Sequence, residues 1–414
     1  MAAPVSPEAS ATREREALLR AYAQLVVRTG VNLGSGQELL VEAQLDHAPL
    51  VRAITEEAYA AGARFVDVSY ADPYVRRARA AMSPDDVLGW TPPWMLQRLE
   101  RAADIGAAVI GISDSSYADV FAGVEGGRLA ATRFRDLDRI WLEAVTAGNM
   151  AWSLIAYPTE RWAAEALGEP DLDRLWDAVA HALYLREPDP AGAWKARLDE
   201  LAARADALTE RGFQAVRYRG PGTELEVGLI EGARWIAGRD RTKAGRDYVA
   251  NLPTEEVFTT PHRLRADGTI RGSTPLALRG QVIEGIELRL AGGEIVEARA
   301  TRGEDVLQAE IATDDGGRRL GEIALVDESS RVGEAGIVFN NTLFDENAAA
   351  HMAFGAGFAW AVEELDGEPE ALGVNDSATH VDFMVGSPEL EIDGLEPGGA
   401  TVALLREGRW QLPG

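Results

Sequence analysis

The chain has 414 residues, enough for two domains or one elaborate domain with a sizeable hydrophobic core. Its formal net charge is −26 and no basic stripe stands out to meet a phosphate backbone, which argues against a nucleic-acid partner. The chain has no cysteine. Disulfides, zinc–thiolate sites and cysteine nucleophiles are therefore excluded, and any metal must be held by N and O ligands.

The N-terminal segment, residues 1–12, is polar and charged, and we expect it to be a mobile tail. It lacks the apolar core of a signal peptide. The apolar run 105–112 is far too short to cross a bilayer. These features predict a cytoplasmic protein without a membrane partner.

Residues 13–219 alternate between strand-like and helical patterns. The predicted strands are 39–43, 64–69, 107–112, 152–157 and 214–218. The predicted helices are 47–61, 93–103, 128–146, 171–185 and 191–211. Strands separated by helices of this length predict an α/β domain around a largely parallel sheet.

The pattern changes after the Gly-Pro-Gly sequence at 220–222, where we place the domain boundary. Helices become scarce and alternating apolar and polar residues predict β-hairpins, with the helix 304–313 as the main exception. The predicted fold is therefore an N-terminal α/β domain (13–219) followed by a C-terminal β-rich, α+β domain (220–414).

Two histidines in this second domain lie close in sequence to carboxylates. His380 and Asp382 are two residues apart in a predicted strand, which places both side chains on one face. Glu346 and His351 flank an alanine run, and the pattern predicts a helix beginning at Asp345 or Glu346 with His351 in its second turn. Each pair alone is common without a ligand. Two of them together indicate a metal site with imidazole and carboxylate ligands.

Four motifs in this order resemble those of the M29 family of metallo-aminopeptidases. They read NLPTEEVFTT (251–260), LGEIALVDESSR (320–331), NTLFDENAAAH (341–351) and HVDFMVGSPEL (380–390). The resemblance covers most of the chain and is strongest from about residue 220 to 410. It implies a homodimeric enzyme that removes N-terminal residues from peptides, using two metal ions and a bridging water.

The resemblance also assigns the metal ligands, which are Glu256, Glu322, Glu346, His351, His380 and Asp382. Glu322 is expected to bridge the two ions. Strand alternation allows only one of Glu255 and Glu256 to be a ligand without saying which; the resemblance selects Glu256, and Glu255 is expected to be solvated. The four carboxylates carry −4, which two divalent ions would neutralise. Zn, Co, Mn and Mg all suit such ligands.

One position departs from the family pattern. The family places a tyrosine, its presumed catalytic phenol, seven residues after the histidine that matches His351, and this chain has Phe358 there. Seven residues are two helical turns, so Phe358 is expected to share a helix face with His351 and to border the same pocket. No tyrosine follows Tyr248. Loss of a hydroxyl that stabilises a tetrahedral intermediate costs about 10²–10³ in rate.

Two alternatives therefore stay open beside an active aminopeptidase. The first is a metal-binding homologue whose catalysis is lost or altered because of Phe358. The second is an iron-dependent, ring-cleaving dioxygenase of related fold. Retention of the PTEE, LGE and DEN motifs beside HVD favours the two-metal site over a single iron.

Overall fold

The structure is a computed structural model that describes residues 7–114, 116–278 and 281–412. The first helix begins at Pro7, so residues 7–12 of the predicted tail are helical and residues 1–6 lie outside the described residues. The α-helices, in chain order, are α1 (Pro7–Leu25), α2 (Ala48–Ala60), α3 (Pro73–Met82), α4 (Pro93–Asp104), α5 (Gly126–Ala131), α6 (Arg135–Thr146), α7 (Glu160–Leu167), α8 (Leu172–Ala182), α9 (Pro190–Arg211), α10 (Glu304–Ile311), α11 (Thr342–Asp345) and α12 (Pro369–Leu372). Within the described ranges, none of the helices is long and apolar enough to cross a membrane.

The strands form sheets that differ in the two halves of the chain. In order they are β1 (Glu38–Gln44), β2 (Phe65–Ala71), β3 (Ala108–Ser113), β4 (Trp152–Ala156), β5 (Ala215–Gly220), β6 (Thr223–Leu229), β7 (Ile236–Ala237), β8 (Asp240–Arg241), β9 (Asp247–Tyr248), β10 (Glu256–Thr259), β11 (Pro261–Arg271), β12 (Leu276–Leu278), β13 (Gln281–Ile283), β14 (Glu287–Ala291), β15 (Glu294–Arg299), β16 (Leu320–Val326), β17 (His351–Gly355), β18 (His380–Met384), β19 (Glu391–Leu395), β20 (Thr401–Arg406) and β21 (Arg409–Trp410).

The chain divides into two compact units. The first unit comprises residues 1–194 and 239–252, and the second comprises 195–238 and 253–414. The boundary predicted near 219–222 lies instead inside the second unit, in the β5–β6 hairpin. Its Gly-Pro-Gly sequence is a turn signal, which looks the same in a hairpin and in a linker.

The first unit is built on a parallel sheet with the strand order β2-β1-β3-β4. Strands β1 and β3 are short apolar runs buried on both faces, as expected in a parallel sheet covered by helices. Asp72 caps α3 by accepting a hydrogen bond from the backbone N–H of Tyr74, and Thr159 caps α7 through the N–H of Trp162. The predicted α/β domain with a parallel sheet is confirmed.

The predicted helix 128–146 is two helices in the structure, α5 and α6. The hydroxyl of Thr132 donates to the carbonyl of Leu129, which satisfies a C-terminal carbonyl and marks the end of α5. The predicted strand 214–218 corresponds to β5, but it belongs to the antiparallel sheet of the second unit and not to the parallel sheet. Periodicity identifies a strand without identifying its partner.

The second unit contains an eight-stranded sheet, β15-β14-β11-β6-β5-β19-β20-β21, and a five-stranded sheet, β18-β17-β16-β10-β7. One hydrophobic core joins side chains from both sheets. The five-stranded sheet contributes alternate residues to that core, among them Val257, Ile323, Met352, Phe354 and Phe383. The intervening residues point to the other face. The predicted β-rich C-terminal region is confirmed.

Candidate metal centre

The predicted ligands collect on the five-stranded sheet. Glu256 begins β10, Glu322 lies in β16, and His351 begins β17. His380 and Asp382 lie in β18, with one residue between them, as the sequence predicts. Four adjacent strands therefore carry five of the six predicted ligands.

Cross-strand register places these side chains on one face. Ala353 of β17 lies opposite Glu322 on one side and opposite Asp382 on the other. In the next row, His351 lies opposite Ala324. Residues directly opposite each other share a face of the sheet. The alanines between the ligands are small, which leaves room for the long acidic side chains to converge.

Two glycines allow the close approach of backbone segments at the site. A Cβ on Gly321, the residue before Glu322, would lie 2.1 Å from the carbonyl oxygen of Ala356. Gly355 lies opposite His380, with φ of +107°, and a Cβ there would lie 2.1 Å from the carbonyl oxygen of Thr379. Only glycine fits either position without displacing a ligand-bearing strand.

The ligand atoms form two groups that share Glu322. In the first, His351 Nε2 lies 3.1 Å from Glu256 Oε2 and 3.8 Å from Glu322 Oε1. In the second, His380 Nε2 lies 3.1 Å from Glu322 Oε2 and 3.4 Å from Asp382 Oδ1. Within each group one ligand atom per residue lies within 4.8 Å of the others. The His351 side chain is 1% exposed and that of His380 is 29% exposed, so the second group faces the open side.

Burial and charge perturb the acid–base behaviour of these groups. Burial alone would lower the pKa of His351, but the hydrogen bond and negative charge of Glu256 outweigh it and raise that pKa to about 10. Burial likewise opposes protonation of His380, yet Asp382 and Glu322 raise its pKa well above the ordinary value. Burial raises the pKa of Glu322 to about 7. The carboxylates of the cluster thus strongly stabilise positive charge placed among them, here the protonated imidazoles of His351 and His380.

These residues fit a divalent metal ion. The donors are imidazole nitrogens and carboxylate oxygens, which suit Zn, Co, Mn or Mg. Asp382 Oδ1 is shielded from solvent and receives no hydrogen bond of good geometry. His380 Nε2 lies 3.4 Å from this oxygen without the alignment of a good hydrogen bond, and a buried carboxylate oxygen in that state is costly unless a cation satisfies it.

The helix predicted after Glu346 is wrong. Helix α11 ends at Asp345 with Glu346 as its C-cap, and His351 begins a strand. Strand β17 is hydrogen-bonded on both sides, by β16 and β18, and all its residues are buried. The alanine run, residues 348–350, lies before the strand in a turn, and the pairing of β17 holds His351 in extended backbone. Glu346 is still part of the charge cluster, because the charges of Asp382 and Glu256 act on its carboxylate and, after burial, raise its pKa.

Phe358 also lies outside any helix, so the predicted helical face shared with His351 is wrong. It follows β17 in a loop, and its N–H donates to the hydroxyl of Thr260 at 3.4 Å. Its ring nevertheless contacts the site, with its centroid 5.4 Å from that of His380. Phe258 and Trp360 pack on the same ring, at 5.2 and 5.0 Å between centroids.

The expectation that Glu255 is solvated is wrong. Its side chain is fully buried, and Arg197 Nε donates to Glu255 Oε2 at 2.5 Å. Burial raises the pKa of Glu255 to about 7, and Arg197 opposes that rise. The backbone N–H of Glu255 donates to Asn347, which the sequence pattern did not single out. A polar residue between Glu346 and the alanine run was the available signal.

Comparison with known proteins defines the class. The model of the thermophilic metalloproteases, M29, matches residues 15–410. Aminopeptidase T of Thermus aquaticus is 40% identical over 403 residues, which cover 95% of this chain and 98% of that protein. The structure of wild-type AmpT from Thermus thermophilus superposes with a TM-score of 0.88 at 39% identity, covering 96% of this chain and 100% of that chain.

The chain belongs to the M29 family of metalloproteases. The resemblance stated from the motifs is therefore confirmed, as is the predicted enzyme class, a metallo-aminopeptidase among the hydrolases. The 2,5-dihydroxypyridine dioxygenase of Pseudomonas putida KT2440 has a related fold, with a TM-score of 0.53 at 12% identity over 99% of both chains. That likeness concerns the fold alone.

Proposed function

We propose that this chain is an aminopeptidase that holds two divalent metal ions and hydrolyses the first peptide bond of peptides with a free N-terminus. The observation that carries the proposal is the pair of ligand groups on one sheet face with Glu322 common to both. A carboxylate with one oxygen toward each histidine is suited to bridging two ions. Glu256 and His351 would complete one site, and His380 and Asp382 the other.

Charge supports two ions over one. Glu256, Glu322, Glu346 and Asp382 can together carry −4, and the charges of the other three all act on Glu346. One divalent cation would leave about two negative charges uncompensated in a buried cluster, which is costly without proton uptake. We assign Glu346 as the sixth ligand from its place in the DEN motif. Among the described residues it belongs to neither ligand group, and the structural support is that the charges of the neighbouring carboxylates act on it.

The residues divide the chemical work by position. When bound, a pair of divalent ions lowers the pKa of a shared water and polarises the substrate carbonyl. The buried group around His351 fixes one side of the centre. The more exposed His380 and Asp382 face the side from which a peptide can enter. The neutral α-amine of a peptide could bind an ion held there through its nitrogen lone pair, which would restrict cleavage to the first peptide bond.

The test is aminopeptidase activity that depends on metal and on a free amine. The protein is stripped with a chelator, refilled with Zn, Co or Mn, and assayed on a panel of aminoacyl-p-nitroanilides. We expect turnover only after refilling, and none on the N-acetylated form of the best substrate. Equal cleavage of the free and acetylated substrates would contradict the aminopeptidase, and activity of fully stripped protein would contradict the metal.

Phe358 stands where the family has a tyrosine, and this difference affects the expected rate of catalysis. Its ring lies against His380, so a hydroxyl at this position would border the second ligand group. We propose that Phe358→Tyr raises kcat while leaving metal affinity unchanged. Equal kcat in both forms would show that the phenol is dispensable here. An inactive native protein with an active variant would support the metal-binding homologue that has lost catalysis.

We also propose a homodimer. The support is an exposed strand edge with apolar side chains in the first unit: β2 is an edge strand, and Phe65 on it is 54% exposed. Val75 and Trp94 are 66% and 65% exposed. Large exposed apolar side chains often mark protein interfaces. Light scattering after gel filtration tests this, and a monomer at micromolar concentration contradicts it.

A cytoplasmic location remains a prediction from the sequence.

A further inference from the structure

The proposed ligands are not all held by the sheet. Strand pairing fixes Glu256 relative to β16, and the same ladder fixes His351 and Asp382. Glu346 lies in the turn after α11, outside every strand. Its position relative to Glu256 must therefore come from contacts other than the sheet's hydrogen bonds.

Asn347 makes that connection. Its side chain is fully buried, and both ends of its amide are bonded. Oδ1 accepts a hydrogen bond of 2.6 Å from the backbone N–H of Glu255, the residue before Glu256. Nδ2 donates at 2.8 Å to the carbonyl of Leu343, in α11. One side chain thus ties the start of β10 to the turn that carries Glu346.

The other side of Glu346 is held as well. The carboxylate of Asp345 accepts hydrogen bonds from the backbone N–H of Phe339, at 2.7 Å, and of Asn341, at 3.0 Å. Buried side chains on both neighbours of Glu346 therefore fix its backbone, but only Asn347 reaches a segment that bears another ligand. Arg197 reinforces this anchor because it holds the Glu255 carboxylate in place.

We propose that Asn347 is a positioning residue for the metal centre, which sets the separation between Glu256 and the turn of Glu346. The inference rests on the proposed function, because it assumes that these two carboxylates bind metal. Residues that orient metal ligands without touching the ion typically contribute about 10- to 100-fold to metal affinity. Asn347→Ala removes both hydrogen bonds without adding charge, so a loss of that size is expected.

The experiment titrates cobalt into the stripped full-length protein, following heat and the visible absorption of bound Co²⁺. Native protein is compared with Asn347→Ala and with Asp393→Asn. Asp393 is an equally buried residue of the eight-stranded sheet, paired with Arg219 and Arg406, and serves as a control for general destabilisation. We expect Asn347→Ala to lose affinity by about 10- to 100-fold and to change the cobalt spectrum. The control should match the native protein in both.

Equal affinity and identical spectra for native and Asn347→Ala would overturn the inference, as would an equal loss in the control. If Asn347→Ala does not fold, Asn347→Gln, which keeps a neutral amide displaced by one methylene, takes its place and must show the same loss. Native protein that binds no cobalt would instead contradict the proposed function itself. The two failures are thus distinguishable.

Discussion

Glu322→Gln is the substitution whose effect follows most directly from the geometry. Glutamine keeps the shape of the side chain and removes one charge. Glu322 belongs to both ligand groups, whereas Asp382 belongs to one. We therefore expect Glu322→Gln to lower the affinity for both ions and Asp382→Asn to lower the affinity for one of them.

The size of the effect can be worked from the distances. Glu322 oxygens lie 3.8 Å and 3.1 Å from the two histidine nitrogens that would share its ions. A pair of unit charges about 4 Å apart at an effective dielectric constant of about 20 interacts by about 4 kcal/mol. Removing the charge also makes His351 and His380 easier to deprotonate, which offsets part of the loss. We expect at least about a hundredfold weaker binding of each ion, or about 2.8 kcal/mol.

Calorimetric titration of stripped protein with Zn or Co measures both steps. The native isotherm should show two ions per chain. Glu322→Gln should shift both steps to higher metal concentration, and Asp382→Asn should shift one and leave the other close to native. Thermal unfolding of each metal-free variant controls for folding. If Glu322→Gln leaves either ion bound with native affinity, Glu322 does not bridge the two sites.

Three further predictions follow from particular contacts. Glu256 raises the pKa of His351 to about 10, so protonated His351 stabilises the metal-free fold at and below pH 6.5, and that stabilisation is lost as pH rises through 10. Because a metal ion must displace this proton, metal affinity measured at pH 8, 7 and 6 should fall as the pH falls. A metal affinity that does not change with pH would contradict the raised pKa. Arg197→Met leaves buried Glu255 without its cation and should lower the free energy of unfolding, measured in urea, by about 3–5 kcal/mol. The double variant that also carries Glu255→Gln should regain part of that free energy. If the double variant is no more stable than Arg197→Met, the unpaired charge of Glu255 is not the cause. The Cβ of Gly355→Ala would lie 2.1 Å from a backbone oxygen, so this variant should have a lower melting temperature and a lower metal affinity. Gly399 also has a positive φ, but no atom lies within 4 Å of a Cβ there, so Gly399→Ala should lower the melting temperature slightly and leave metal affinity unchanged. Equal losses in the two variants would refute the steric argument.

The parts of the site that sequence could predict are those set by local pattern. His380-x-Asp382 needs only strand alternation, and the structure has both residues in β18. The position of His351 could not be found in this way. An alanine run favours a helix locally, but the strand that follows it, β17, is paired by β16 and β18, which lie 25 residues before and 25 residues after it in the chain. The five residues of β17, HMAFG, are all buried, as expected of an internal strand, but that burial becomes visible only in the structure.

Glu255 was mispredicted for a related reason. Alternation shows that it must point away from Glu256, but it does not show what lies there. The partner is Arg197 on α9, 58 residues earlier in the chain. Likewise β5 is a recognisable strand whose sheet is decided by pairing with β6 and β19. Long-range pairing, rather than local propensity, decided each of these points.

The number of metal ions needed for turnover decides between the proposed enzyme and its alternatives. Stripped protein would be titrated with Co²⁺ while the release of p-nitroaniline from the best aminoacyl substrate is followed, for the native chain and for Phe358→Tyr. We predict activity in at least one of the two, rising with metal and reaching its maximum at two equivalents per chain. Activity that reaches its maximum at one equivalent of metal, or no activity in either protein with two ions bound, would contradict the two-metal aminopeptidase.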